Sequence, residues 1–363
     1  MADCAEQTWG NPSSVHVMGR RARAVLDDAH ERLASTLKCR PGEVVFTSGG
    51  TESVNMAILG AARKLKASGK GRHLVCSSVE HHAVIHSMEY LERNEDYELN
   101  KLSVNATGVV ELSDLRASIR PDTILVSIQA ANNEVGSIQD VAEMGAFCHS
   151  RGILFHTDAV QWFGKMPFDS VDQFQADLVS ICAHKLFGPK GSGALYIKSP
   201  LHVDPILFGG SHENERRAGT ENLPSIVGLV ECVERFARPP GFDNVKMRAL
   251  TDRIVEGFSF IPGVRFISPL EKRLPNTASF VVENSDSVAL LAGLDIDGVC
   301  ASSGSACSAG SLEPSHVIRA MGFSDELANA LVRFSLGPGN TMSEVEHLIS
   351  VFPGIVRRVQ HPQ

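Results

Sequence analysis

One thiol stands in a stretch that offers no other chemistry. Residues 301–310 read ASSGSACSAG, six hydroxyl or glycine residues and three alanines around Cys307. Such a stretch cannot build a core, so Cys307 is either a thiol without a task or a nucleophile that small neighbours leave free to move. A second reactive group stands in CAHKLFGPKGSG (182–193), where His184 and Lys185 leave an apolar run and enter a glycine-rich loop. A lysine at a buried strand end is costly unless it is paired or bonded as an imine. HTDAVQ (156–161) puts an acid, Asp158, at the end of the preceding apolar run. Alone, Asp158 reads equally well as a helix N-cap. Beside Lys185 it reads as the partner of a pyridinium nitrogen, which is the arrangement of pyridoxal phosphate chemistry.

Two further motifs are weaker. TSGGTESVN (47–55) follows an apolar run and opens a helical pattern. Its small residues would let main-chain N–H groups approach an anion, with Thr51 adding a hydroxyl, although a plain tight turn fits as well and the GK[ST] of a P-loop is absent. EHHAVIH (80–86) offers His81, His82 and His86. The 82/86 spacing would suit a metal on a helix face, but HExxH is missing and no third ligand is evident. One imidazole stacked on a flat cofactor ring fits better, the others being structural.

The elements that must position these residues follow from periodicity. Apolar residues at 15, 18, 22, 25, 29, 33 and 37 line one face of a helix that ends near Pro41. Short runs at 43–48, 73–78, 123–130, 153–158, 178–183 and 194–197 then alternate with helical patterns. This is the signature of an α/β fold, a mostly parallel sheet of seven-stranded type sandwiched by helices. Ligands of such sheets lie beyond the carboxyl ends of the strands, where TSGGTES, SSVEHH, ANNE, HTDAVQ and CAHK all fall. ARPPGFDN (237–244) reads as a linker. The expected division is a large domain over 10–236 and a smaller α+β domain over 237–363, carrying the Cys307 loop, with strands at NTASFVVEN, DGVCAS and LVRFSLG.

Bulk properties exclude several classes. A formal charge of -8 and no basic run longer than a pair argue against nucleic-acid or membrane-surface binding. No apolar run approaches a membrane span and the N-terminus does not read as a signal peptide, so the chain is expected in the cytosol. Eight cysteines without CxxC spacing indicate neither a disulfide scaffold nor a zinc ribbon.

In this order, GNPSSVH (10–16), TSGGTES, EHHAV, NNEVGSIQD, HTDAVQ, AHKLFGPKGSGALY, RAGTEN, RLPNTASF, SSGSACS, SLEPSHVIRAMG and RFSLG (333–337) resemble the NifS/IscS-type cysteine desulfurases, fold-type I pyridoxal phosphate enzymes of the class V aminotransferase group. The resemblance implies roles position by position. Lys185 would bond the cofactor as an imine, Asp158 would hold the pyridine nitrogen, and Gln161 would contact the phenolic oxygen. His81 would stack on the ring and relay protons. Gly50, Thr51, Cys182 and His184 would belong to the phosphate site, joined by Thr220 from a second subunit of a homodimer. Asn133 and Arg333 would grip the substrate carboxylate, a task for the planar fork of arginine. Cys307 would attack the substrate sulfur, leave as a persulfide with release of alanine from L-cysteine, and pass sulfur to an acceptor protein for iron-sulfur clusters, thiolated RNA or a sulfur-containing metabolite.

Departures from the family pattern carry expectations of their own. Relatives usually have serine where this chain has Cys182, and a thiol is the weaker donor. They read GGGQERGxRAGT where this chain reads GGSHENERRAGT, with Asn214 in place of arginine and Glu215 in place of glycine. They also carry a strand reading roughly YLDNAATT before GNPSS, which this chain reaches after nine residues; those nine are expected beside the smaller domain, around a more open pocket. Selenocysteine lyase, a non-catalytic member acting through protein contacts and an aminotransferase proper are the competing readings.

Overall fold

In the computed structural model, which describes residues 1–304 and 314–360, a short helix α1 (Ala2–Gln7) precedes the long helix α2 (Val17–Leu37). His16 caps α2 by accepting the Gly19 N–H at Nδ1, and Lys38 ends it in the left-handed region. The buried stripe is Ala22, Leu26, Ala29, Leu33 and Leu37. It is rotated slightly from the predicted one, for Val15 precedes the helix and is 88% exposed.

Next come β1 (Val44–Thr47), α3 (Gly50–Asn55), a π-type turn at Met56–Gly60, α4 (Ala61–Ala67), β2 (His73–Ser77), α5 (His82–Asn94) and β3 (Glu98–Leu102). They are followed by α6 (Leu112–Ser118), β4 (Thr123–Ser127), α7 (Val141–Ser150), β5 (Leu154–Asp158), β6 (Leu178–Cys182), β7 (Gly193–Ile197) and α8 (Leu223–Ala237). The seven strands form one sheet in the order β1-β7-β6-β5-β4-β2-β3. Only β7 runs against its neighbours; the rest are parallel. Every residue of β1, β2, β4, β6 and β7 is buried, as strands covered on both faces must be. Val54, Ile58, Val84 and Met88 of the helical segments close over Leu74, Cys76 and Leu125 of the strands. β3 escaped prediction because ELNKL is a half-exposed edge strand with no apolar run.

The chain divides into two compact units. Met1–Leu102, Leu112–Ala130 and Asp140–Gly241 make the first; Ser103–Glu111, Ala131–Gln139 and the described residues from Phe242 onward make the second. The first nine residues therefore belong with the sheet unit, not with the smaller one as expected: α1 packs on α8, where Gly228 leaves room for Met1. The 103–111 and 131–139 segments also depart from the linear division, since each leaves the sheet unit at a strand end and returns.

The second unit contains α9 (Asn244–Phe258), β8 (Val264–Phe266), β9 (Thr277–Val282), α10 (Ser287–Ile296), α11 (His316–Ala320), α12 (Asp325–Ala328), β10 (Leu331–Ser335) and α13 (Met342–Val359). Its three strands are antiparallel, in the order β10-β9-β8. Phe258 organises the core, stacking on Phe352 at 4.1 Å and meeting Phe280 and Phe334 at 4.9 and 5.7 Å. Burial of one such ring contributes roughly 1.5–3 kcal/mol. DGVCAS is not a strand, for Ser302 makes only an isolated bridge to Arg333. Among the described residues no helix is long and apolar enough to cross a membrane.

Candidate active site

Because β1, β2, β4, β5 and β6 share one direction, their carboxyl ends lie along a single edge of the sheet. Asp158 closes β5 there at 8% exposure, with Oδ1 accepting the Val160 N–H at 2.9 Å. Burial pushes its carboxyl up to about 6, against the Val160 bond and the charge of Lys185. Lys185 lies on a single 3-10 turn (His184–Leu186) just past β6 and is exposed, not buried as the strand end suggested. The turn lifts it clear of the sheet, where its amine is open to a ligand. Its main-chain N–H bonds Cys182, whose thiol is nonetheless raised to about 11 by burial and stays neutral. His184 beside it is held below its usual range by burial and by the charges of Lys185, Lys165 and Lys190.

Two ionisable residues at this edge escaped the sequence reading. Glu80 is fully buried; its Oε1 accepts from Ser77 Oγ at 2.6 Å and from the Gln129 N–H at 2.9 Å. Burial raises it to about 8, with the charge of Asp158 acting in the same direction. Lys165, 4% exposed, donates to the carbonyl and carboxamide oxygens of Gln161 at 3.2 and 3.1 Å. Burial, then Lys185, brings Lys165 down to about 7. Both residues sit inside motifs or next to them, but only their distant neighbours make them unusual.

The TSGG turn is built by its own side chains. Thr47 Oγ1 bonds Ser53 Oγ at 2.7 Å, and Glu52 accepts the Ser48 N–H at 2.8 Å while pairing with Arg217 Nε at 2.8 Å. Gly50 opens α3 beside Val160 and Cys182, and Thr51 follows it, exposed. Thr220 lines a cavity of about 170 Å³ together with Thr47, Ser48, Arg217 and Ser225. His81 is the N-cap of α5, its Nδ1 accepting the Ala83 N–H at 3.1 Å, so the neutral ring carries its proton on Nε2. His82 and His86 stack on each other at 4.8 Å, and among the described residues no cluster of three metal-ligating side chains occurs.

Asn133 and Arg333 belong to the second unit. Arg333 Nη1 donates to the Asn133 carbonyl, while its buried Nε has no partner among the described residues. An orphaned donor of this kind suits a carboxylate ligand. Cys307 lies outside the described residues.

Comparison with known proteins agrees with this arrangement. The family described as aminotransferase class-V matches residues 1–348. Cysteine desulfurase IscS of Methanosarcina thermophila is 41% identical over 355 residues, 98% of this chain and 87% of that protein. A solved structure described as a NifS-like protein superposes with a TM-score of 0.90 at 33% identity, covering 99% of this chain and 94% of its own. Another, described as SspA in complex with cysteine, has a TM-score of 0.81 at 33% identity, covering 93% of this chain and 94% of its own. The chain belongs to the class-V aminotransferase family, among the cysteine desulfurases of the IscS/NifS type.

Proposed function

We propose that this protein converts L-cysteine to L-alanine with pyridoxal 5'-phosphate, holds the sulfur as a persulfide on Cys307, and delivers it to an acceptor protein. The observation that carries the reading is the pairing of a buried acid, Asp158, with the exposed amine of Lys185 on one sheet edge, in a chain with these relatives. The residues fit the cofactor. A carboxyl desolvated to about 6 is stabilised as an anion by a ring N–H cation. Lys185 offers an accessible amine for the covalent link, Gln161 a donor for the phenolic oxygen, and Gly50, Thr51, Cys182 and His184 the phosphate site, which Thr220 of a second subunit would complete in a homodimer. Bound pyridoxal phosphate supplies an electron sink for bonds broken beside the substrate α-carbon.

The remaining work falls to the chain. Asn133 and Arg333 hold the substrate carboxylate. Lys185 moves the α-proton, and His81 presents a proton at Nε2 to the reacting groups. Cys307, as thiolate, attacks the substrate sulfur: the C–S bond breaks, an S–S bond forms, and the carbon takes a proton to become alanine. The seven described cysteines are all free, which suits a reducing compartment, and we assign the enzyme to the cytosol.

The test is a visible spectrum of purified protein, then cysteine addition with peptide mass spectrometry. A cofactor band followed by one added sulfur on Cys307, lost in Cys307→Ala with the band retained, is the expected result. A bound cofactor with no added sulfur would redirect the reading to a lyase of another substrate such as selenocysteine.

A further inference from the structure

The turn that carries Asn133 holds a second functional group. Glu134 is 1% exposed, and its main chain is held firmly. The Glu134 and Val135 N–H groups both donate to Asn132 Oδ1 at 2.8 Å, and Ser279 Oγ donates to the Glu134 carbonyl at 2.5 Å. From this anchored backbone the carboxylate meets two groups within the second unit and acts on a third through its charge. Its Oε2 accepts from Ser315 Oγ at 2.5 Å. The same atom closes over Gly304, where an added Cβ would lie only 2.7 Å away, so residue 304 has no room for a side chain. Its charge also opposes the effect of burial on Arg333, the guanidinium that binds the carbonyl of the adjacent Asn133. Arg333 is in turn bridged through its main chain to Ser302, with N–O distances of 2.6 and 3.1 Å.

We propose that Glu134 is a positioning residue: one buried carboxylate that holds the Arg333 guanidinium ready for the substrate carboxylate and pins Gly304 and Ser315, which flank the segment containing Cys307. A buried carboxylate is a strong acceptor with room for several donors, and its removal leaves the partner charge uncompensated. The same group therefore links substrate grip to the anchorage of the nucleophile's flanks. Ser315 strengthens the link, because its hydroxyl oxygen also accepts the Ile318 N–H and starts α11. This inference rests on the desulfurase reading for the identity of the substrate and the nucleophile.

The experiment compares wild type with Glu134→Gln, which keeps the shape and removes the charge. In the cofactor-loaded enzyme KM for cysteine rises about tenfold, as the charge that favours the Arg333 guanidinium is removed. Affinity of the cofactor-free protein for pyridoxal phosphate stays within about twofold, which a general loss of structure would not allow. In the cofactor-free protein, alkylation of Cys307 by iodoacetamide, followed on its peptide, changes at least about threefold, with exposed Cys300 as the internal control. Wild-type KM, or a wild-type Cys307 rate, in Glu134→Gln overturns the proposal. Should that variant not fold, Gly304→Ala tests the same contact by pressing a methyl group on Oε2, with the same expected and overturning results. If wild-type protein releases no alanine, the desulfurase reading falls and the alkylation comparison alone decides for or against Glu134.

Discussion

Lys165 Nζ donates to Gln161 at both of its oxygens, main-chain at 3.2 Å and carboxamide at 3.1 Å. With its oxygen engaged, the carboxamide presents its NH2 group as the donor for a ligand. Lys165→Met should let the amide turn over. Affinity for pyridoxal phosphate, measured by absorbance titration, is expected to fall about fivefold, the worth of one hydrogen bond of about 1 kcal/mol. Unchanged affinity would show that Gln161 is held by other means.

In the cofactor-free protein Glu80 should draw stability down as pH rises between about 4.5 and 8. Glu80 has a folded-state pKa of about 8 against 4.5, so the folded state keeps a proton that the unfolded chain releases in that window. Its contribution is complete below the unfolded value and is lost as pH rises through the folded one, each unit costing ~1.4 kcal/mol per group at most. Asp158, raised to about 6, adds to the loss in the lower part of the window. His156 and Lys165 act oppositely: burial lowers them from 6.5 to about 3 and from 10.5 to about 7, so the contribution of each grows as pH rises between its two values. Across pH 5, 6 and 7 the melting temperature of Glu80→Gln should gain on that of wild type, since the other groups act alike in both. Parallel slopes would mean that Glu80 does not hold the proton.

Cys182→Ser should strengthen cofactor binding. The thiol is buried and neutral, so the substitution exchanges a weak donor for a strong one at nearly constant volume. About 1 kcal/mol, or roughly fivefold in affinity, is expected from one improved hydrogen bond. A weaker complex in the serine variant would remove Cys182 from the phosphate site.

Glu52→Gln should loosen the TSGG turn. Glu52 lies well below the usual carboxylate range because Arg217 and the Ser48 donors outweigh its burial. Loss of the charge releases Arg217, which shares the cavity with Thr220. Faster loss of cofactor on gel filtration, by several-fold, is the expected result, with melting of the cofactor-free protein little changed. Equal retention would mean that the turn stands without the ion pair.

Much of the site was legible before the fold because its residues follow buried strands. The runs ending at Thr47, Ser77, Asp158 and Cys182 are apolar enough to be recognised, and the polar residues after them had to emerge at one edge of a parallel sheet. Two edge strands were not legible, ELNKL and VRF being too polar or too short to announce themselves, whereas the edge strands β1 and β10 were apolar enough to be read. The exposure of Lys185 also went unread, since a single turn of backbone decides it.

The sequence by itself determined the local elements and the chemical types at their ends, because helix and strand periodicity and turn chemistry are short-range properties. Tertiary structure alone decided that β7 reverses between β1 and β6, that 131–139 joins residues beyond 241, and that Glu80, Lys165 and Glu134 are buried. Burial is the work of neighbours far away in the chain. Desolvation by those neighbours turns three ordinary charged residues into a proton-holding acid, a depressed amine and an anchoring carboxylate.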